Sequence, residues 1–127
     1  YMLDVDGSRG GATNSRWQQV MGTPIDGRID RPSQCVKATQ RFLNSAVSAQ
    51  SIRDLTGKSK LDVDGYYGPA TIRVLQFLLF NWYAKAALGR GINVARDCDG
   101  IEGPNTIKCL QYGLNQSYAN SGKIGAK

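Results

Sequence analysis

Histidine is absent from the 127 residues, so a histidine-assisted serine or cysteine nucleophile and a histidine-ligated zinc are both excluded within this chain. Glutamate occurs once, as Glu102, and an acid/base pair for glycoside cleavage would have to join it to an aspartate. Cysteine is sparse and odd in number: three residues, Cys35, Cys98 and Cys109. A chain of this length buries enough surface to fold without a disulfide framework, so free thiols are expected over a Cys98–Cys109 bridge. Long apolar runs are missing as well. The longest, Val74 to Tyr83, is broken by Gln76 and Asn81 and falls short of the ~20 residues that span a bilayer. No charged n-region precedes an apolar segment near Tyr1, so the start does not read as a signal peptide, and the chain reads as a piece of a longer protein.

Apolar residues make up 41% and charged residues 20%, the range of one globular domain. Sixteen Lys and Arg against ten Asp and Glu give +6, which favours polyanionic partners. The basic residues are dispersed, with no run and no recognition helix, and this weighs against a nucleic-acid-binding domain, the rival reading from another class.

The dominant signal is internal repetition. Leu3-Asp4-Val5-Asp6-Gly7 recurs as Leu61-Asp62-Val63-Asp64-Gly65, and the match runs without a gap through Gly10/Gly68, Ala12/Ala70 and Thr13/Thr71 to Gln18/Gln76. Weaker copies start at Asp26-Gly27, leading to Gln40, and at Asp99-Gly100, leading to Gln111. The common element is Asp-Gly-x-x-Gly-Pro-x-Thr followed by a helix with a glutamine near its middle. Aspartate accepts hydrogen bonds from amides just ahead of it, and glycine tolerates the positive φ of such turns. Pro69 and Pro104 suit the first helical position, and Thr71 and Thr106 are expected to satisfy first-turn donors. The residues before Asp-Gly, namely Val5, Ile25, Val63 and Cys98, are small and apolar and read as core anchors. Helical stripes follow: Val36, Thr39, Leu43, Ala46 and Val47; Ile72, Leu75, Leu79, Trp82 and Ala86; Ile107, Leu110 and Leu114. The segment from Pro69 to about Leu88 is apolar on several faces and is predicted to be the central helix.

Val63-Asp64-Gly65-Tyr66-Tyr67-Gly68-Pro69-Ala70-Thr71 with Leu75-Gln76 behind it resembles the signature of the three-helix peptidoglycan-binding domain of bacterial and phage cell-wall hydrolases. Asp99-Gly100-Ile101-Glu102-Gly103-Pro104-Asn105-Thr106 is similar to the second half of that signature. The resemblance implies a module over residues 58–120, enlarged around Leu88 to Arg96, a degenerate module over 1–57, and a tail at 121–127. Departures are Gly11 in place of proline, Asp30-Arg31 before Pro32, and Arg9 and Glu102 where the family favours an aromatic or aliphatic residue. The implied fold is all-α: about four principal helices, as two pseudo-repeated modules of two turn-plus-helix units each, in one compact body. The implied function is non-catalytic binding of peptidoglycan or an associated wall polymer, at the bacterial cell wall. The parent chain would carry a wall-lytic domain, as in an endolysin with muramidase, amidase or peptidase activity. Neither a membrane nor a nucleic acid is an expected partner.

Asp-x-Asp-Gly occurs at Asp4-Asp6, Asp62-Asp64 and Asp97-Asp99 and invites a calcium reading. With glycine as sixth residue of a calcium loop, the first ligand position would fall on Met2, Lys60 or Ala95 and the twelfth on Thr13, Thr71 or Thr106, so no metal or other cofactor is expected. A hydrolase built on carboxylates alone is the least favoured reading, because most acids belong to the repeated turns. For ligand binding, Tyr66 and Tyr67 on the best-formed turn, Arg73, and the adjacent Trp82 and Tyr83 are the candidates, since a sugar or stem-peptide site combines flat aromatics with fixed polar groups. One of Trp82 and Tyr83 should face the core and the other the surface.

Overall fold

A computed structural model describes residues 2–127. Among them the chain forms six helices and no strand: α1 Gly11–Met21, α2 Gln34–Ala46, α3 Ala49–Thr56, α4 Pro69–Leu88, α5 Val94–Asp97 and α6 Pro104–Asn115. The fold is all-α, as expected. α4 has the predicted limits, with Pro69 at its first turn and Gly89 as a left-handed cap at its end. The short α3 and the single-turn α5 are additions that the sequence did not announce. α3 is capped by Ser48, whose hydroxyl accepts from the Ser51 amide at 3.1 Å, and it buries only Ile52.

α4 is the centre of the packing and touches α2, α3, α5 and α6, while α1 rests on α2 and α6. One continuous core draws on both halves of the chain, from Leu3 and Trp17 through Leu43, Leu75 and Leu79 to Leu110, Leu114 and Ile124. Each of these apolar side chains contributes about 1.5–3 kcal/mol by leaving water. Trp17 satisfies its indole by donating to the Thr39 hydroxyl at 2.9 Å, and that hydroxyl donates to the Cys35 carbonyl at 2.9 Å. All three cysteines are buried and unpaired. No helix is long and apolar enough to cross a membrane, among the described residues.

Three details differ from the periodicity. Ala46, Trp82 and Ala86 are exposed. The buried row of α4 advances by four residues, Leu75, Leu79, Tyr83, so Trp82, one step short, points outward; Ala46 is displaced by Val47 in the same way. Val5, Ile25 and Val63 are also exposed, because the Asp-Gly turn faces the protein with its polar backbone. Leu3 and Leu61 are the anchors instead, and Cys98 alone of the four pre-turn residues is buried. The segment after 120 is irregular, as expected of a tail, but it is tied down: Ile124 is buried, the Gly122 amide donates to the Val20 carbonyl and the Lys127 amide to the Gln116 carbonyl, both at 2.8 Å.

Candidate functional site

The turns at Asp6, Asp26, Asp64 and Asp99 share one construction. In each, the aspartate Oδ1 accepts the amide two residues on, from Ser8, Arg28, Tyr66 or Ile101, at 2.9–3.0 Å. The following glycine has φ between +77° and +80°, the left-handed region that a side chain strains. A glutamine from a helix then grips the turn on both sides of its amide. Gln40 accepts the Gly65 amide at 2.9 Å through Oε1, while its Nε2 donates to Asp64 Oδ1 at 2.9 Å, the Tyr66 carbonyl at 3.2 Å and the Thr71 hydroxyl at 3.0 Å. Gln76 does the same to the Asp99 turn and Thr106, and Gln111 to the Asp6 turn and Thr13. Gln18 holds the Asp26 turn but its Nε2 has two acceptors, Asp26 and the Arg28 carbonyl, both at 2.8 Å. Cys35, five residues before Gln40 as Thr71 is before Gln76, stands where the other turns have threonine.

The order of the grips closes a ring. α1 holds the turn that precedes α2, α2 the turn that precedes α4, α4 the turn that precedes α6, and α6 the first turn of the chain. Thr71 and Thr106 therefore serve a neighbouring glutamine and do not cap their own helices; Gly68 and Gly103, the N-cap residues, bring no side chain to the free amides. Two asparagines extend the grip. Asn44 brackets Leu61, accepting its amide at 2.7 Å and donating to its carbonyl at 2.9 Å, and Asn115 brackets Leu3 at 2.8 and 3.0 Å. The sequence carried a signal for these residues: Asp to Gln is 12 residues in three units (6 to 18, 64 to 76, 99 to 111), and Gln40/Asn44 and Gln111/Asn115 share a spacing of four.

The four turn carboxyls titrate below the ordinary carboxylate range, first because of the backbone amide two residues on, then because of the glutamine amide. Asp97 is lowered further by Arg90 and then Arg96, both of which donate to it at 3.0–3.3 Å. Burial pushes the Cys35 thiol up to about 12 and those of Cys98 and Cys109 to about 11, so none is a nucleophile at neutral pH.

Arg9 and Glu102 are partners. Arg9 Nε lies 2.9 Å from Glu102 Oε1 and its Nη1 donates to Asn14 Oδ1 at 2.8 Å. Its guanidinium sits over the rings of Trp17 and Tyr67, 5.9 and 5.6 Å from their centroids. Tyr67 donates its hydroxyl to Glu102 Oε2 at 2.7 Å and stands edge-on to Trp17, and its burial raises its pKa well above the usual tyrosine value.

The five sequence candidates are spread over the molecule. Tyr66 is 46% exposed, beneath the Arg31 guanidinium at 5.8 Å, on the rim of a groove of about 170 Å³ bounded by Asp62, Gly68, Pro69 and Ala70. Tyr67 is turned inward, as just described. Arg73 is exposed and lies across Gly100, its Nε 3.0 Å and its Cγ 3.2 Å from where a Cβ would stand. Trp82 is 49% exposed and Tyr83 9%. That pair lies about 20 Å along α4 from Pro69, and the C-terminal segment at Gly125 packs against one edge of the Trp82 ring. Equivalent grooves flank the other turns, and the one at Asp99, about 230 Å³, has Arg90 and Arg96 on its wall. Among the described residues no group of three or more potential metal ligands is assembled. In comparisons with family models, curated proteins and solved structures, nothing matches the chain.

Proposed function

We propose that the chain is a non-catalytic module that binds bacterial peptidoglycan or a polymer attached to it, and that it brings a wall-lytic domain of the same parent protein to its substrate. The observation that carries this reading is how the acids are used. Eight of the ten carboxylates have partners: four hold the turns, Asp97 holds Arg90 and Arg96, Glu102 holds Arg9 and Tyr67, Asp62 meets Lys58, and Asp54 meets Gln50. Acids committed to architecture favour a binding surface over a reaction centre. The reading keeps residues 1–57 and 58–120 as two pseudo-repeated modules around one core, with the rigid turn at Asp64 presenting Tyr66, and Arg73 and Trp82 as further exposed contacts. The +6 charge accelerates capture by anionic wall polymers, and the grooves supply selectivity.

A fluorescent fusion should sediment with purified sacculi, with and without teichoic acid, and release no soluble sugar or peptide. Tyr66→Ala should weaken retention about tenfold, whereas Arg28→Ala, the exposed residue at the same place in the Asp26 turn, should leave it within twofold. Release of wall fragments, or equal affinity for DNA with complete loss of binding in moderate salt, would overturn the reading in favour of an enzyme or a general polyanion binder.

A further inference from the structure

The four turn grooves share one pattern, and their walls differ in charge. Those at Asp6 and Asp64 are lined by two carboxylates each and no base, Asp4 with Asp6 and Asp62 with Asp64. That at Asp26 sets Arg28 against Asp26 and Asp30. The groove at Asp99 has two arginines, Arg90 and Arg96, and one of its two acids is withdrawn: the Asp97 side chain is 4% exposed, against 58% for Arg96. The uncapped start of α6 borders this groove as that of α4 borders the one at Asp64, so the arginines and not the helix end set it apart.

Asp97 fixes both cations. Arg90 donates from Nη1 and Nη2 to its two carboxylate oxygens at 3.0 and 3.1 Å, Arg96 from Nε and Nη2 at 3.0 and 3.3 Å, and the Asn93 amide adds a further bond at 2.8 Å. The Arg90 guanidinium also lies over the Phe80 ring, 5.9 Å from its centroid. Asp97 is the one buried residue of α5, so this turn of helix contributes a carboxylate and no apolar side chain to the interior, and a buried ion pair adds little stability by itself. Its effect is to order two guanidiniums side by side before any ligand arrives. Among the described residues no acceptor meets Arg90 Nε or Arg96 Nη1. Asp99 turns Oδ1 toward the Ile101 amide and Gln76, and Arg73, laid across Gly100, offsets its charge. Three arginines thus stand against two carboxylates. A volume of about 230 Å³ is below that of a site for a drug-sized molecule and suits one charged unit of a longer chain. Guanidinium forks match the paired oxygens of phosphate.

We propose, resting on the wall-binding reading, that the groove at Asp99 is a subsite for the phosphodiester of a polyol-phosphate polymer attached to the wall, with Arg96 and Arg90 as the residues that hold it. The test titrates the full 127-residue chain with fluorescent poly(glycerol phosphate) at moderate salt. Binding is expected, with amide NMR shifts centred on Ile101 and Asn105. Arg96→Gln should weaken it about five- to tenfold and leave the melting temperature within about 2 °C, because the side chain is exposed and Asp97 keeps Arg90 and the Asn93 amide. Arg28→Gln, which removes the base of the Asp26 groove, should change binding less than about twofold. Absence of binding, equal losses from the two substitutions, or equal affinity for polyglutamate or duplex DNA of matched charge would each overturn the proposal. Sacculi stripped of teichoic acid separate it from the wider reading. Binding to them without binding to poly(glycerol phosphate) removes the subsite and leaves peptidoglycan recognition standing, whereas binding to the polymer alone keeps the subsite and makes the attached polymer the ligand of the module.

Discussion

The turns at Asp6 and Asp64 are built from the same five residues and gripped by the same pair of side chains at nearly the same distances, yet they are embedded differently. Gly65 is buried: a Cβ there would lie 2.9 Å from Pro32 Cβ and 3.0 Å from the backbone nitrogen and oxygen of Ser33, and its carbonyl accepts the Ser33 amide at 2.9 Å. Gly7 is only partly covered, and beyond Pro104 its third neighbour is the movable end of Lys108. Local sequence therefore determines the grip, while the packing around each glycine determines how hard the turn is to dislodge. One turn is a keystone and the other a latch.

Gly65→Val should be the most damaging change, because it combines positive-φ strain with a backbone clash; a loss of about 3 kcal/mol or more in chemical denaturation is expected. Gly7→Val should cost less, since Gly7 is only partly covered and one of its neighbours is the movable end of Lys108, and equal losses would erase the distinction between the two turns. Next is Gln40→Leu, which strands the Gly65 amide in a buried place and should cost about 2–3 kcal/mol, against about half that for Gln111→Leu. Glu102→Gln, nearly isosteric, removes the charge that faces Arg9 and should lower stability by about 1 kcal/mol, with unchanged helicity by circular dichroism. The smallest effect concerns pH. Each turn carboxyl titrates below its unfolded value near 3.9, so the stability it adds is complete above that pH and is lost as pH falls through the lowered native values. Melting temperatures should be flat from pH 7 to about 5 and decline below about 4, and the Asp6 and Asp64 carboxyls, lowered by the same two causes, should titrate alike by NMR.

Much of this architecture can be read from the residues, and the failures have physical reasons. The limits of α4 are legible because a twenty-residue apolar segment is bounded by Gly68-Pro69 and Gly89, and the turns are legible because Asp-Gly repeats. α3 is not legible because it buries a single residue and so leaves no stripe. Apolar character before a turn does not mean burial for Val5, Ile25 and Val63, because the inner side of each turn is occupied by a glutamine amide. The glutamines recur visibly, but their partners are invisible to any local reading: Gln40 meets a turn 25 residues ahead, and Gln111 one 104 residues behind. For the same reason Arg9 and Glu102, separated by 93 residues, read as two unrelated departures when they form one pair that joins the first turn to the last. Of the candidate site, exposure of Tyr66 followed from its place on the turn, but the inward rotation of Tyr67 depended on that distant glutamate.

The closure of the ring by its last helix has a consequence for the order in which the molecule assembles. Bringing Gln111 to Gly7 closes a loop of 104 residues, about two doublings longer than the 25 that separate Gln40 from Gly65, and the added chain-entropy cost is about 1.2 kcal/mol. The internal grips can form while the chain is still mostly open, and the first turn docks onto a surface already made. Native-state hydrogen exchange should preserve that history: the amides of Leu3, Asp6 and Gly7 should exchange through a local opening, while those of Leu61 and Gly65 should wait for the whole protein to unfold.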